Sequence, residues 1–290
     1  MASLKEVRVR IASVNSTKQI TSAMKMVSAS KLRKAQTSLL KLRPYAAQMN
    51  QMMLDLCGCE SSKDIVYLTE REPEKILVVV VASNRGLCGA FNTNTFKAAQ
   101  KLVCEQFPEQ YSKGTLEFLC VGRKASEYFS KRGYKIAKTE TDILDNVNYE
   151  NASAIAVSVM KDFEDAKYDR VFVVYNKFVN AAVQKNTVVR YLPTNINSQK
   201  QQYSSLDYIL EPDKKSVISE LVPRSLRLQF YEFILNSVVS EHGARMTAMH
   251  KATDNATELL KDLKLSYNKV RQASITREIL EIVGGANALV

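Results

Sequence analysis

Residues 224–283 read RSLRLQFYEFILNSVVSEHGARMTAMHKATDNATELLKDLKLSYNKVRQASITREILEIV, with no proline and a single glycine, Gly243. An ordinary globular helix is about 11–12 residues long, so an uninterrupted helical pattern on this scale departs from a compact domain. At about 1.5 Å per residue it would make a rod on the order of 90 Å. A seven-residue register runs through it at Leu228, Leu235, His242, Met249, Ala256, Leu263 and Val270. Companion positions three residues on are Tyr231, Val238, Arg245, Ala252, Leu259, Ser266 and Ala273. Polar and small residues interrupt both sets, so this is not a plain zipper.

The other end of the chain has a matching pattern. From Met1 to Arg43 there is neither glycine nor proline, and Leu4, Val7, Ile11 and Val14 recur at the spacing of a coiled-coil seam. The register continues through Lys18, Thr21, Lys25 and Ser28, and apolar character returns at Leu32, Ala35, Leu39 and Leu42. Pro44 is expected to bend this helix and Cys57-Gly58-Cys59 to end it. The two terminal helices are expected to wind about each other antiparallel, because the middle of the chain joins them. A strict seven-residue period predicts a left-handed supercoil.

Between them, the pattern changes. Ile76–Ala82 is a continuous apolar, β-branched run, as in a strand buried on both faces. Further strands are predicted at 116–121, 134–137, 170–176 and 187–192, with helices near 93–107, 123–132 and 149–166. Alternating strands and helices imply a mostly parallel, helix-covered sheet. The expected fold is therefore α/β: a long antiparallel coiled coil of N- and C-terminal helices plus a central Rossmann-like α/β domain. The predicted organisation is residues 1–57 for the first helix, 74–194 for the domain, 195–215 for a polar linker, and 216–290 for the last helix.

Composition fits a soluble chain, and no run of eighteen apolar residues is present to span a membrane. The five cysteines (57, 59, 88, 104 and 120) lack metal-ligand spacing and read as reduced thiols. The net charge of +11 is unevenly placed. Residues 1–56 hold ten Lys/Arg against only Glu6 and Asp55, whereas the rest of the chain is nearly balanced. A helix bearing Arg8, Arg10, Lys18, Lys25, Lys31, Arg33, Lys34, Lys41 and Arg43 could meet nucleic acid, a membrane surface or an acidic protein, serve as a transit peptide, or simply present a solvated face. Its charges lie on several sides, which favours being surrounded.

Catalytic constellations are weak. The turn SNRGLCGAFN, residues 83–92, follows a strand and precedes a helix, where phosphates bind in such sheets. It lacks the Gly-Lys-Ser/Thr ending of a phosphate loop and the third glycine of a dinucleotide fingerprint. Gly86 and Gly89 read as punctuation for a tight connection, with a phosphate site as the alternative. Cys88 beside Arg85 reads as a core cysteine rather than an activated thiol. His242 and His250 are two turns apart, so they do not form the i, i+4 metal pair. No catalytic residues, cofactor or metal site are expected. A nucleic-acid or membrane binder using the first helix, and a small-molecule enzyme on the sheet, are the competing classes.

Three stretches carry a resemblance: IASVNSTKQITSAMKMVSASKLRKAQ (11–36), SNRGLCGAFN (83–92), and SEHGARMTAMHKATDNATELLKDLKLSYNKVRQASITREILEIVGGANAL (240–289). From Ile11 to Leu289 the chain resembles the gamma subunits of F-type ATP synthases. That resemblance implies a non-catalytic central rotor shaft, one copy per complex. The shaft would couple ion-driven rotation of a membrane c-ring to conformational cycling of catalytic beta subunits. The paired helices would stand inside an alpha3beta3 hexamer, with the α/β domain beside the epsilon subunit and the c-ring, and no nucleic acid. Implied hexamer contacts are Met24, Lys25, Arg271, Gln272, Thr276 and Glu278. Small residues Ala23, Ser28, Ala29 and Ala35 would let the walls approach, and the tip Ile279–Val283 with 286–290 would sit in an apolar collar. Departures from the family pattern are Asn84, where aspartate is frequent, and Arg277, where glutamine is frequent. The pattern begins within ten residues of Met1 and lacks a chloroplast-type cysteine insertion. The expected location is therefore the cytoplasmic face of a bacterial inner membrane, as a peripheral protein.

Overall fold

A computed structural model of the chain describes residues 4–57, 66–194, 210, 211 and 213–287. Most of the predicted linker, together with Cys59, lies outside the described residues. The chain falls into two compact units, Met1–Ala29 with Met246–Val290, and Ser30–Arg245. Two helices contribute to both: α1 (Leu4–Cys57) and α6 (Lys214–Asn287). Each runs through its proline, Pro44 and Pro223 respectively. The last helix thus starts ten residues before the proline-free stretch. Its start is fixed by Asp213, whose carboxylate accepts the Ser216 amide (3.0 Å) and hydroxyl (2.6 Å), as an N-cap does.

In the unit 30–245, the core is a five-stranded sheet in the order β3-β2-β1-β4-β5. The strands are β1 (Ile76–Val81), β2 (Leu116–Val121), β3 (Ile136–Glu140), β4 (Arg170–Phe178) and β5 (Gln184–Leu192). β1 pairs in parallel with β2 and β4, and β2 with β3, while β5 returns antiparallel to β4. Helices α2 (Phe91–Gln106), α3 (Pro108–Ser112), α4 (Arg123–Ser130) and α5 (Tyr149–Glu164) connect them.

Strand alternation divides the core in two. Ile76, Val78 and Val80 pack with Phe96, Ala99 and Val103 of α2 and with Ala125 and Phe129 of α4. Leu77, Val79 and Val81 pack with Ile155, Val159 and Phe163 of α5, and with Leu226, Phe230 and Ile234 of α6. The continuous apolar run of β1 is explained by this cover on both faces.

Boundaries differ from expectation where local polar bonding, invisible to periodicity, takes over. Tyr134 is not in β3; its amide bonds to the Phe129 carbonyl and closes α4, with Gly133 at φ 75°. The β4–β5 hairpin extends past the predicted ends because Asn180 accepts from the amides of Ala182 (2.9 Å) and Val183 (2.7 Å), which tightens the turn.

Candidate functional site

In the unit formed by residues 1–29 and 246–290, the two helices are antiparallel. Arg8 Nη2 donates to the Tyr267 hydroxyl (3.1 Å), Thr253 Oγ1 lies 2.9 Å from Thr21 Oγ1, and Lys25 Nζ lies 3.3 Å from His250 Nδ1. Seventeen residues forward, from Arg8 to Lys25, match seventeen back, from Tyr267 to His250, so the pairing has no slip.

The seam of α1 lies where its spacing predicts. Val7, Thr21 and Ser28 are buried, and Leu4, Ile11, Val14, Lys18 and Lys25 are half-buried. On α6, Met249, Ala256, Leu263 and Val270 also turn inward, as does the predicted companion Ala252, but the later companions do not. Leu259 is 40% exposed and Ser266 and Ala273 are exposed, whereas Leu260 is 8% exposed, and Thr253, Tyr267 and Ser274 share its face. From Ala256 onward the companion register is therefore four residues on from each anchor, not three. In a seven-residue repeat both spacings are permitted, and the partner helix decides between them.

The middle of the seam is polar. Thr21 donates to the Lys18 carbonyl (3.0 Å) and Ser28 to the Met24 carbonyl (2.7 Å), so these hydroxyls are satisfied without water. Ser28 consequently faces the helix pair and not a surrounding wall, while Ala23 is exposed.

Of the six residues expected to meet a partner, Arg271, Gln272, Thr276 and Glu278 are exposed, and Met24 and Lys25 are half-buried. Lys25 is drawn toward His250, which also lies 3.4 Å from Asp254. Arg277 is exposed too. Beyond Ser274, α6 has outrun its pairing, and Ile275, Ile279, Leu280, Ile282 and Val283 are all exposed, Ile282 by 72%. The side chain of Ala286 and residues 288–290 lie outside the described residues.

In the other unit, the turn after β1 fills itself. Ser83 donates its amide to Asn92 Oδ1 (3.0 Å) and its hydroxyl to the Arg85 carbonyl (2.7 Å), and Asn92 Nδ2 reaches Cys88 Sγ (3.3 Å). The punctuation reading thus has a structural basis, although Gly86 is not where it acts. The left-handed positions are Leu87 and Gly89, both at φ 63°, and a Cβ at Gly86 would meet open space. Burial pushes the Cys88 thiol above its ordinary pKa, and burial pushes that of Cys120 up to about 12. Neither is an activated nucleophile. Asn84 accepts from the Arg123 amide (3.0 Å) at the start of α4 and donates to the Thr141 carbonyl (2.9 Å). An aspartate could accept the first bond but not donate the second. His242 is half-buried, and burial with the nearby Lys31 and Arg245 cations pushes its pKa down to about 4.

Sequence reasoning missed what ties α6 to the sheet. Ser237 donates to the Val81 carbonyl (3.4 Å) and Ser240 to that of Asn176 (3.0 Å), at the ends of β1 and β4. Arg245, expected in the coiled-coil register, turns instead to the carbonyls of Arg85 and Gly86. The available signal was small polar residues set into the apolar run FILNSVVSEHG.

Antiparallel terminal helices, one continuing past its partner, together with a doubly covered sheet, define a stalk-type protein. The profile of the family described as ATP synthase matches residues 3–289. The ATP synthase gamma chain of Cytophaga hutchinsonii is 49% identical over 100% of this chain and 99% of its own length, and that of Christiangramia forsetii is 50% identical over the same shares. The chain belongs to the ATP synthase gamma-chain family. A chain in the Tetrahymena thermophila mitochondrial ATP synthase central stalk and c-ring structure is 28% identical, with a TM-score of 0.60 over 80% of this chain and 99% of that one. A chain of the Euglena gracilis mitochondrial ATP synthase rotor, 21% identical, shares the fold with a TM-score of 0.65 over 94% of this chain and 98% of that one.

Proposed function

We propose that this chain is the central rotor shaft of an ATP synthase, a non-catalytic subunit that couples turning of a membrane c-ring to the cycling of three catalytic beta subunits. The observation that carries this reading is the free end of α6, where Ile275, Ile279, Leu280, Ile282 and Val283 are exposed on one helix. Such apolar exposure on a chain of this family calls for a surrounding apolar collar. Among the described residues no helix is long and apolar enough to cross a membrane, so the collar is assigned to protein.

The shaft works by differential contact. Its two helices present different side chains in each direction, so each of three chemically identical neighbours faces a different surface. An orientation biases a neighbour only through contact energy that differs between that neighbour's states. We assign such contacts to Arg271, Gln272, Thr276 and Glu278, all exposed, and to Met24 and Lys25, both half-buried. Exposed cations on α1 (Arg10, Lys31, Arg33, Lys34 and Lys41) attract acidic segments at long range and tolerate exchange of partners. The alpha and beta subunits, the epsilon subunit and the c-ring are the partners assigned. The place assigned is the cytoplasmic face of a bacterial inner membrane.

Native purification tests this. One copy of the chain should emerge with three copies each of two larger nucleotide-binding proteins. Isolation without such a ring, or with bound DNA released steeply by salt, would overturn it.

A further inference from the structure

In the unit 30–245, the turn after β1 is also gripped from outside by a side chain of α6. Arg245 is 9% exposed. Its Nη1 donates to the Gly86 carbonyl, and its Nη2 lies 3.3 Å from the Arg85 carbonyl and 2.5 Å from Glu241 Oε1. Two carbonyls solvate a buried guanidinium but leave its charge uncompensated, and Glu241, one turn back on α6, supplies the counter-charge. Lys31 of α1 and Asp145, between β3 and α5, are the further charges acting on Glu241. Close approach continues beside the pair, where a Cβ on Gly243 would sit 3.4 Å from Ala181 of the β4–β5 turn.

What this grip holds is unusual. Leu87 is 67% exposed and sits at φ 63°, a backbone region that favours glycine, directly after the carbonyl that Arg245 binds. Ser83, Asn92 and Cys88 hold the base of the turn, and Arg245 holds its crown. A planar fork that binds two successive carbonyls and a carboxylate is arginine chemistry, which a lysine ammonium reproduces only in part.

We infer that Arg245 is a positioning residue that locks the β1–α2 turn to α6, so that displacement of the helix and the presentation of Leu87 change together. This rests on the shaft reading above and adds a second route by which helix movement reaches the surface of the domain.

The test uses Arg245→Ala, Arg245→Lys and Glu241→Gln in the full chain and in the assembled complex. In the full chain, amide exchange of residues 84–90 should quicken about tenfold or more in Arg245→Ala and less in Arg245→Lys. In the complex, ATP synthesis relative to hydrolysis should fall roughly threefold or more, with Arg245→Lys partly restored. Should Arg245→Ala not fold, Glu241→Gln, which loosens the grip and leaves the guanidinium in place, carries both readouts. Unchanged exchange at 84–90 overturns the lock. Faster exchange with an unchanged synthesis-to-hydrolysis ratio reduces it to structural support and overturns the positioning role. Failure of the unaltered chain to assemble with a nucleotide-binding ring sinks the shaft reading instead, and the exchange result still decides the lock.

Discussion

At the scale of single residues, conformation and burial matter more than residue type. Gly122 has φ 103°, and a Cβ there would lie 2.5 Å from the Ala82 carbonyl oxygen and 2.9 Å from Leu144 Cδ1. Gly122→Ala should therefore cost about 2–3 kcal/mol, from a strained backbone and a clash with main chain that cannot move away. Gly86→Ala, in open space, should stay within about 0.5 kcal/mol. Urea melts of the two variants check both values. His242 makes a pH prediction whose sign is set by its environment. Its folded pKa of about 4 lies below the ordinary value of 6.5, so the unfolded chain takes up the proton first. Stability is full above pH 6.5 and falls as pH drops toward 4, by about 1–2 kcal/mol once solvent screening is allowed for. Lys31 and Arg245 are the cations facing it. Urea midpoints at pH 7 and pH 5 should differ more in the native chain than in His242→Gln.

Among the elements, the helix pair offers a sharper contrast between neighbours in sequence. Leu259 and Leu260 are chemically identical, yet the first is 40% exposed and the second 8%. Leu260→Ala should destabilise the pair by about 2–3 kcal/mol, while Leu259→Ala should cost under about 0.5 kcal/mol. Thermal melts of both variants read this directly, and equal losses would return the seam to the three-residue companion spacing. The polar layer of Lys18, Thr21 and Lys25 against His250 and Thr253 explains why the seam is not uniformly apolar. Satisfied polar groups at seam positions favour one register over slipped ones, at some cost in stability. A shaft needs a single register more than it needs maximal burial.

For the whole molecule, stability and coupling are expected to depend on different residues. The sheet core draws on β1, β4 and the 218–238 stretch of α6, whereas residues 275–283 expose their apolar side chains. Deleting residues 271–290 should leave the melting of the sheet unit within a few degrees of the full chain. The same deletion should lower ATP synthesis in the assembled complex several-fold. Unchanged synthesis would count against Arg271, Gln272, Thr276 and Glu278 as contacts. Uneven charge belongs to this scale too: ten cations against two acids in residues 1–56 surround a helix that the rest of the chain leaves largely exposed.

Much of this architecture was legible in the sequence, because hydrophobic periodicity is a local signal. The seam from Leu4 to Leu42 falls on the inward positions of α1, and the run Ile76–Val81 is a central strand buried on both faces. Both follow from which side chains avoid water at repeats of 3.5 or 2 residues. Only tertiary structure decided between Leu259 and Leu260, because a heptad permits either and the partner helix selects one. It alone placed Arg245, whose carbonyl partners stand about 160 residues earlier in the chain. It also assigned Asn84 to the start of α4 and put the left-handed turn at Leu87. Hydrogen bonds between remote segments leave no periodic trace, since each depends on where two distant backbones meet.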